Sequence, residues 1–332
     1  MNEKKERMIF DVTYQPQVRT VRDTQRIMLD VIIATLPIVG FGVYRYGWHA
    51  LLLVVSSMAA AVFFEWAYRK LLKKSTTIDD LSAAVTGLLL VMVLSPQTPV
   101  WMAVIGDFFA IVIVKQLYGG IGKNFLNPAL AGRAFLTASY SGVLTIVVID
   151  GVTSATPLGF LYSDTPMPFT MAQSFFGAIP GSIGEISSFA ILAGAAYLIA
   201  RKVIRWRIPA SVIGTVFVLS FLGGHAGYGR LEWALQNVFA GGVMFTGIFM
   251  ATDYSTSPVT INGQIIYGIG IGALTMLIRY FGGYAEGCSY AILIMNLTTW
   301  ALDKLCHRRQ FGVSHEEFLA GKRAKKNKEA VS

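Results

Sequence analysis

One short stretch, Asp150-Gly-Val-Thr153-Ser154-Ala155-Thr156-Pro157, gathers three hydroxyl side chains and a carboxylate ahead of a proline. A proline disfavours the helical region for the residue before it. Thr156 is therefore expected to be extended, with its hydroxyl clear of the chain. Ser154 and Ala155 are small and leave room for a second protein to approach. Asp150, six residues earlier, supplies a carboxylate that can cap or orient the turn. Taken alone, the stretch is a Ser/Thr-rich turn.

A second group of residues could handle ions. Asp107 lies near the middle of an apolar run, where a carboxylate is costly and marks a functional candidate. Asp30, Asp253 and Glu286 complete the candidate ion pathway, although Asp30 also stands four residues after Arg26, the spacing of a helical ion pair. Glu65, Lys115 and Arg279 fall near the ends of apolar runs and are expected to snorkel outward. His49, His225, His307 and His315 have no metal-ligand or triad spacing. The glycines form no Walker or Rossmann pattern, and Cys288 and Cys306 cannot by themselves hold an iron–sulfur cluster. No metal site and no catalytic residue is expected, and a nucleic-acid partner is excluded.

The elements carrying these residues are membrane spans. Of 332 residues, 54% are hydrophobic and only 14% charged, against about 25% charged in soluble chains. Mean hydropathy is +0.55. Ten spans are expected, at 27–44, 48–72, 81–94, 100–118, 134–149, 185–203, 208–224, 233–251, 264–280 and 285–305. No cleavable signal is read ahead of the first. Cations cluster before the first span, after the second, fourth and sixth, and in the tail, and 134–200 contains no Lys or Arg. By the positive-inside rule both termini are cytoplasmic and 150–184 is external. The chain divides into an N-terminal segment (1–26), a membrane domain (27–305) and a basic tail (306–332).

The two halves rhyme. Ser95-Pro96 and Ser257-Pro258 each precede a span that ends in Gly-Gly, at 119–120 and 282–283. An odd number of spans per unit makes the second unit inverted, with repeats at about 27–149 and 185–305 flanking the external loop. The fold class is all-α, about ten transmembrane helices in two inverted five-helix repeats. Asn127-Pro128 and Ser257-Pro258 are the expected helix breaks.

The pattern Asp-x-x-Thr-Ser-Ala-Thr at 150–156 resembles the flavin-attachment sequence of Rnf-type D subunits and Nqr-type B subunits. The segment from Gly119 through Asn127-Pro128 to Phe135, the segment Phe249-Met-Ala-Thr-Asp253 with Thr256-Ser-Pro258, and Gly282-Gly-Tyr-Ala-Glu286-Gly with Met295-Asn296 resemble three further hallmarks of that family. The resemblance runs from about Arg26 to Leu305. It implies FMN esterified to Thr156 by a separate flavin transferase, with Asp150, Thr153, Ser154 and Ala155 as the attachment motif. It also suggests a second, non-covalent flavin, with riboflavin the candidate; Arg133 either meets a polar group of it or anchors its span. The short N-terminal region favours the D type, which relays electrons between ferredoxin and NAD partners and is coupled to Na⁺ or H⁺ movement in the bacterial inner membrane. Partners implied are a second flavin-bearing subunit and iron–sulfur subunits. The alternatives are an Nqr-type B subunit serving a quinone acceptor, or a urea-channel-like solute transporter. A physical reason for a covalent tether is that the external loop has no cation to hold a free phosphate.

Overall fold

The computed structural model describes residues 24–144, 147–149, 152–154, 157–162, 169–177, 179–224, 228–282 and 286–306. Chain order gives α1 (Thr24–Tyr46), α2 (Trp48–Leu71), α3 (Ser82–Met92), α4 (Val100–Phe108, continuing as a π-helix over Phe109–Gln116), α5 (Pro128–Ser139) and the short α6 (Ser141–Leu144). A hairpin of β1 (Val147–Ile149) and β2 (Val152–Ser154) follows, then α7 (Pro157–Leu161) and α8 (Met171–Phe176). The second half contains α9 (Ser188–Ala200), α10 (Arg207–Gly223), α11 (Arg230–Phe239), α12 (Val243–Phe245, continuing as a π-helix over Thr246–Met250), α13 (Ile261–Phe281) and α14 (Cys288–Leu305).

Apolar helices dominate, as a polytopic membrane protein requires. Among the described residues, α1, α2 and α13 are each long and apolar enough to cross a bilayer, and α11 with α12 passes as a fourth span bent by 64°. The other expected spans appear as shorter helices. At ~1.5 Å per residue, the 11 residues of α3 reach roughly 17 Å, about half a hydrocarbon core. Every residue of α3 is buried, so this half-length helix is shielded by protein on all sides.

Three sequence expectations are corrected. The helix expected at 134–149 starts at Pro128 and ends at Ser139, because the Asn127 side chain accepts from the backbone N–H groups of Ala129 and Leu130 and caps it. Val147–Ile149 is strand, a small addition to an otherwise all-α chain. The bend falls at 240–242 rather than at Ser257-Pro258, which lies in the loop ahead of α13. Gly241 has φ +75°, a conformation that glycine adopts without the strain a side chain would bring.

The halves use parallel packing schemes. In the first, α2 packs on α3 and α4; in the second, α10 packs on α11 and α13. The halves meet where α1 packs on α9 and α5 on α14. Close approach depends on small residues, as is common between membrane helices. A methyl group at Gly87 would sit 2.7 Å from the Ser57 carbonyl oxygen, and one at Gly132 would sit 2.9 Å from the Gly106 carbonyl oxygen. Outward faces carry Phe63, Trp101, Leu222 and Trp300, suited to lipid. Gly87→Ala is expected to separate α3 from α2 at a cost of about 1–3 kcal/mol, read as a lowered thermal midpoint of the detergent-solubilised chain.

Candidate functional site

Strands β1 and β2 pair as a hairpin next to the stretch that resembles an attachment sequence. Val147, Val148 and Ile149 pair antiparallel with Ser154, Thr153 and Val152, so only Asp150-Gly151 connects the strands. Asp-Gly is the dipeptide a tight two-residue turn favours. Asp150, Ala155 and Thr156 lie outside the described residues, as do the side chains of Thr153 and Ser154. Thr156 stands in the chain between Ser154, the end of β2, and Pro157, the start of α7.

That start is firmly anchored. Leu158 and Leu161 are fully buried against Trp233 and Ala240 at the bend between α11 and α12. Tyr162 donates to Asn237 Oδ1 at 2.7 Å and meets the rings of Trp233 and Tyr280 edge-on, while Trp233 Nε1 donates to the Tyr280 hydroxyl at 3.0 Å. Burial pushes the Tyr162 phenol above its ordinary range, which keeps its proton available to Asn237.

Arg279 closes this arrangement from α13. Its guanidinium donates to the carbonyls of Asn237 at 2.6 Å and Ala240 at 3.3 Å, the groups released by the bend. It is 4% exposed, so the expectation that it snorkels is wrong: orphaned carbonyls bind it more effectively than distant water. It also lies beside Leu158 at Gly241, so a cation from another helix stands next to the start of α7.

Glu65 and Lys115 do not snorkel either. They form a buried pair at 2.7 Å, extended by Ser82 accepting from Lys115 at 2.6 Å and Thr77 donating to Glu65 at 2.6 Å. Asp30 is held by Tyr197 at 3.0 Å and Arg201 at 3.3 Å, both beyond α1. Asp253 receives the Ser255 N–H at 3.3 Å and the Thr256 hydroxyl at 3.2 Å, a local turn. Glu286 pairs with Arg133, which also donates to Ser289. Asp107 alone of the four ion-pathway candidates has both carboxyl oxygens buried without a partner among the described residues. It lies just ahead of the π-helical stretch of α4.

The three family-like segments, distant in sequence, converge. Asn127 Nδ2 donates to Met250 O at 3.1 Å, and the Asn296 amide oxygen accepts from Asn127 N–H at 3.1 Å. Arg133 and Glu286 join the first and third segments again. A pocket beside this junction is lined by Val85, Asn124, Asn127, Phe249, Thr252 and Asp253. Sequence reasoning missed one residue here, Glu185, which is buried beside Glu286. Its only signal was being the single acidic residue between Asp164 and Glu232.

Comparison with known proteins gives a consistent result. Residues 11–312 match the model of the NQR2, RnfD, RnfE family. The chain is 45% identical to the D subunit of the Na⁺-translocating ferredoxin:NAD⁺ oxidoreductase complex of Acetobacterium woodii, over 91% of this chain and 95% of the relative. It is 42% identical to the D subunit of the proton-translocating ferredoxin:NAD⁺ oxidoreductase complex of Clostridium ljungdahlii, over 92% and 96%. It is 35% identical to the D subunit of the ion-translocating oxidoreductase complex of Shewanella amazonensis, over 92% and 99%. Glu65→Leu is expected to cost about 3–5 kcal/mol by stranding the Lys115 charge, whereas the double variant with Lys115→Met recovers most of it. Unfolding midpoints of the single and double variants check this.

Proposed function

The chain belongs to the NQR2, RnfD, RnfE family, and from that premise we propose that it carries covalent FMN on Thr156 and relays electrons in an Rnf-type ferredoxin:NAD⁺ complex. Its role as a membrane subunit of an ion-translocating oxidoreductase follows from relatives covered almost end to end. The same matches set aside the solute-channel alternative and favour the D type over the Nqr-type B type. Relatives above 40% identity are named for different ions, so similarity leaves Na⁺ and H⁺ both open for this chain.

The observation that carries the flavin reading is the attachment sequence together with its anchor. Strand β2, ending at Ser154, and a proline-started helix flank Thr156 in the chain, and the helix is fixed by buried Leu158 and Leu161 and by the Tyr162 hydrogen bond to Asn237. A tethered redox group needs such a fixed base, because its distance to partner cofactors governs transfer. When bound, FMN supplies electron-transfer chemistry; the protein supplies position and environment. Trp233, Tyr162 and Tyr280 form an aromatic bed at the foot of the loop, and Arg279 brings positive charge beneath it.

A second, non-covalent flavin, riboflavin, is assigned to the pocket at the junction of the halves. Val85 and Phe249 offer apolar surface there, and Asn124, Asn127 and Asp253 offer hydrogen-bonding groups, a combination that suits a ring with one apolar and one polar end. Asp107, whose two carboxyl oxygens have no hydrogen-bond partner among the described residues, is the strongest of the ion-contact candidates. The setting is the bacterial inner membrane, with both termini cytoplasmic and the attachment loop external. A second flavin-bearing subunit and iron–sulfur subunits exchange the electrons, and a flavin transferase matures Thr156. Thr156→Val, made alongside the transferase, should lose the fluorescent band on denaturing gels while keeping flavin extractable by acid. A fluorescent band surviving in that variant would place the tether elsewhere.

A further inference from the structure

Where α9 gives way to α10, the chain carries Arg201, Lys202, Arg205 and Arg207 in close succession. So much charge cannot sit among acyl chains, and the exposed Trp206 between them is the residue type that settles at headgroup level. This turn therefore stands at a membrane–water boundary. Beside it, the loop ahead of α13 closes a cavity of about 360 Å³. Tyr254, whose hydroxyl donates to Val203 O, lines both this cavity and the pocket at the junction of the halves.

Two kinds of polar group face an occupant. Lys202 and Arg205, both exposed, give the cavity positive charge, and no acidic residue lines it among the described residues. Neighbouring carboxylates are engaged elsewhere: Asp30 by Tyr197 and Arg201, Asp253 by Ser255 and Thr256, and Asp303 by the N–H groups of Val259 and Thr260. Gln264, in the first turn of α13, is 7% exposed and also lines the cavity. Its Nε2 donates to Pro258 O at 3.1 Å, and its Oε1 has no partner among the described residues. A buried acceptor left without a donor is costly, so the cavity suits an occupant that brings one.

An anion satisfies the two cations, and a hydroxyl beside it satisfies the amide oxygen. An ammonium group would also donate, but it would meet two like charges. The apolar part of the occupant is indicated by α13. Ile261, Ile265 and Ile269 recur every four residues on one helix face and are 37%, 40% and 47% exposed, a track leading away from the cavity. We propose that this cavity binds the headgroup of an anionic, hydroxyl-bearing phospholipid of the phosphatidylglycerol class. Lys202 and Arg205 take the phosphodiester, a glycerol hydroxyl donates to Gln264 Oε1, and an acyl chain lies along Ile261, Ile265 and Ile269. No covalent bond changes, and the site does not depend on flavin at Thr156 or in the neighbouring pocket.

Native mass spectrometry of the full-length chain, purified in detergent and mixed with defined lipids, tests this. Phosphatidylglycerol should be retained in preference to phosphatidylcholine of the same chains. Lys202→Gln with Arg205→Gln should weaken that retention roughly 30-fold, about fivefold per cation. Lys73→Gln with Lys74→Gln, which removes equal charge after α2, should leave it unchanged. Gln264→Leu should lower phosphatidylglycerol to the level of phosphatidylmethanol, an equally charged lipid without the headgroup hydroxyls. Where that variant does not fold, the unaltered chain should still prefer phosphatidylglycerol to phosphatidylmethanol. Equal retention of phosphatidylcholine, equal loss in both double variants, or no preference between the two anionic lipids overturns the assignment. Displacement of the lipid by millimolar inorganic phosphate also overturns it, in favour of a free-anion site.

Discussion

A helix that bends inside an apolar slab frees carbonyl groups that no water can receive, and each one left unpaired costs several kcal/mol. The 64° bend between α11 and α12 creates this problem, and the Arg279 guanidinium answers it. The rest of the site follows from that contact. By holding Asn237 in place, Arg279 fixes the acceptor for Tyr162; by sitting beside Gly241, it fixes the surface against which Leu158 packs. The segment that follows Thr156 is thereby fastened to the bent span itself.

Charge burial follows a related logic. A lone ion in an apolar interior is too costly, so Glu65 has Lys115, Glu286 has Arg133 and Asp30 has Arg201. The last two pairs also tie the halves together. Arg133 belongs to a first-half helix and Glu286 precedes a second-half helix; Asp30 and Arg201 stand in the same relation. The ion pairs thus set which helices face one another, while interlocking small residues such as Gly87 and Gly132 set how closely they approach.

Most expected spans have a helical counterpart within a few residues, because a long apolar run in a poorly charged chain has few alternatives. Misjudgements occurred where a contact from elsewhere decided the outcome. The helix at Pro128 starts early because Asn127 caps it, a feature visible in the sequence but outweighed by the hydropathy of the following residues. Arg279 and Lys115 looked able to reach water because each lies near a span end. Burial won because orphaned carbonyls in one case and Glu65 in the other were within reach.

The sequence by itself determined the membrane class, the family and the order of the helices. These properties reside in runs of residue type and in short contiguous motifs. Only the tertiary structure decided that Asn127, Met250 and Asn296 meet, that the bend falls at 240–242, and that Glu185 is buried against that bend at Gly242. The reason is physical. Burial, charge pairing and the rescue of orphaned backbone groups depend on which distant segments become neighbours, and that is settled only when the helices pack.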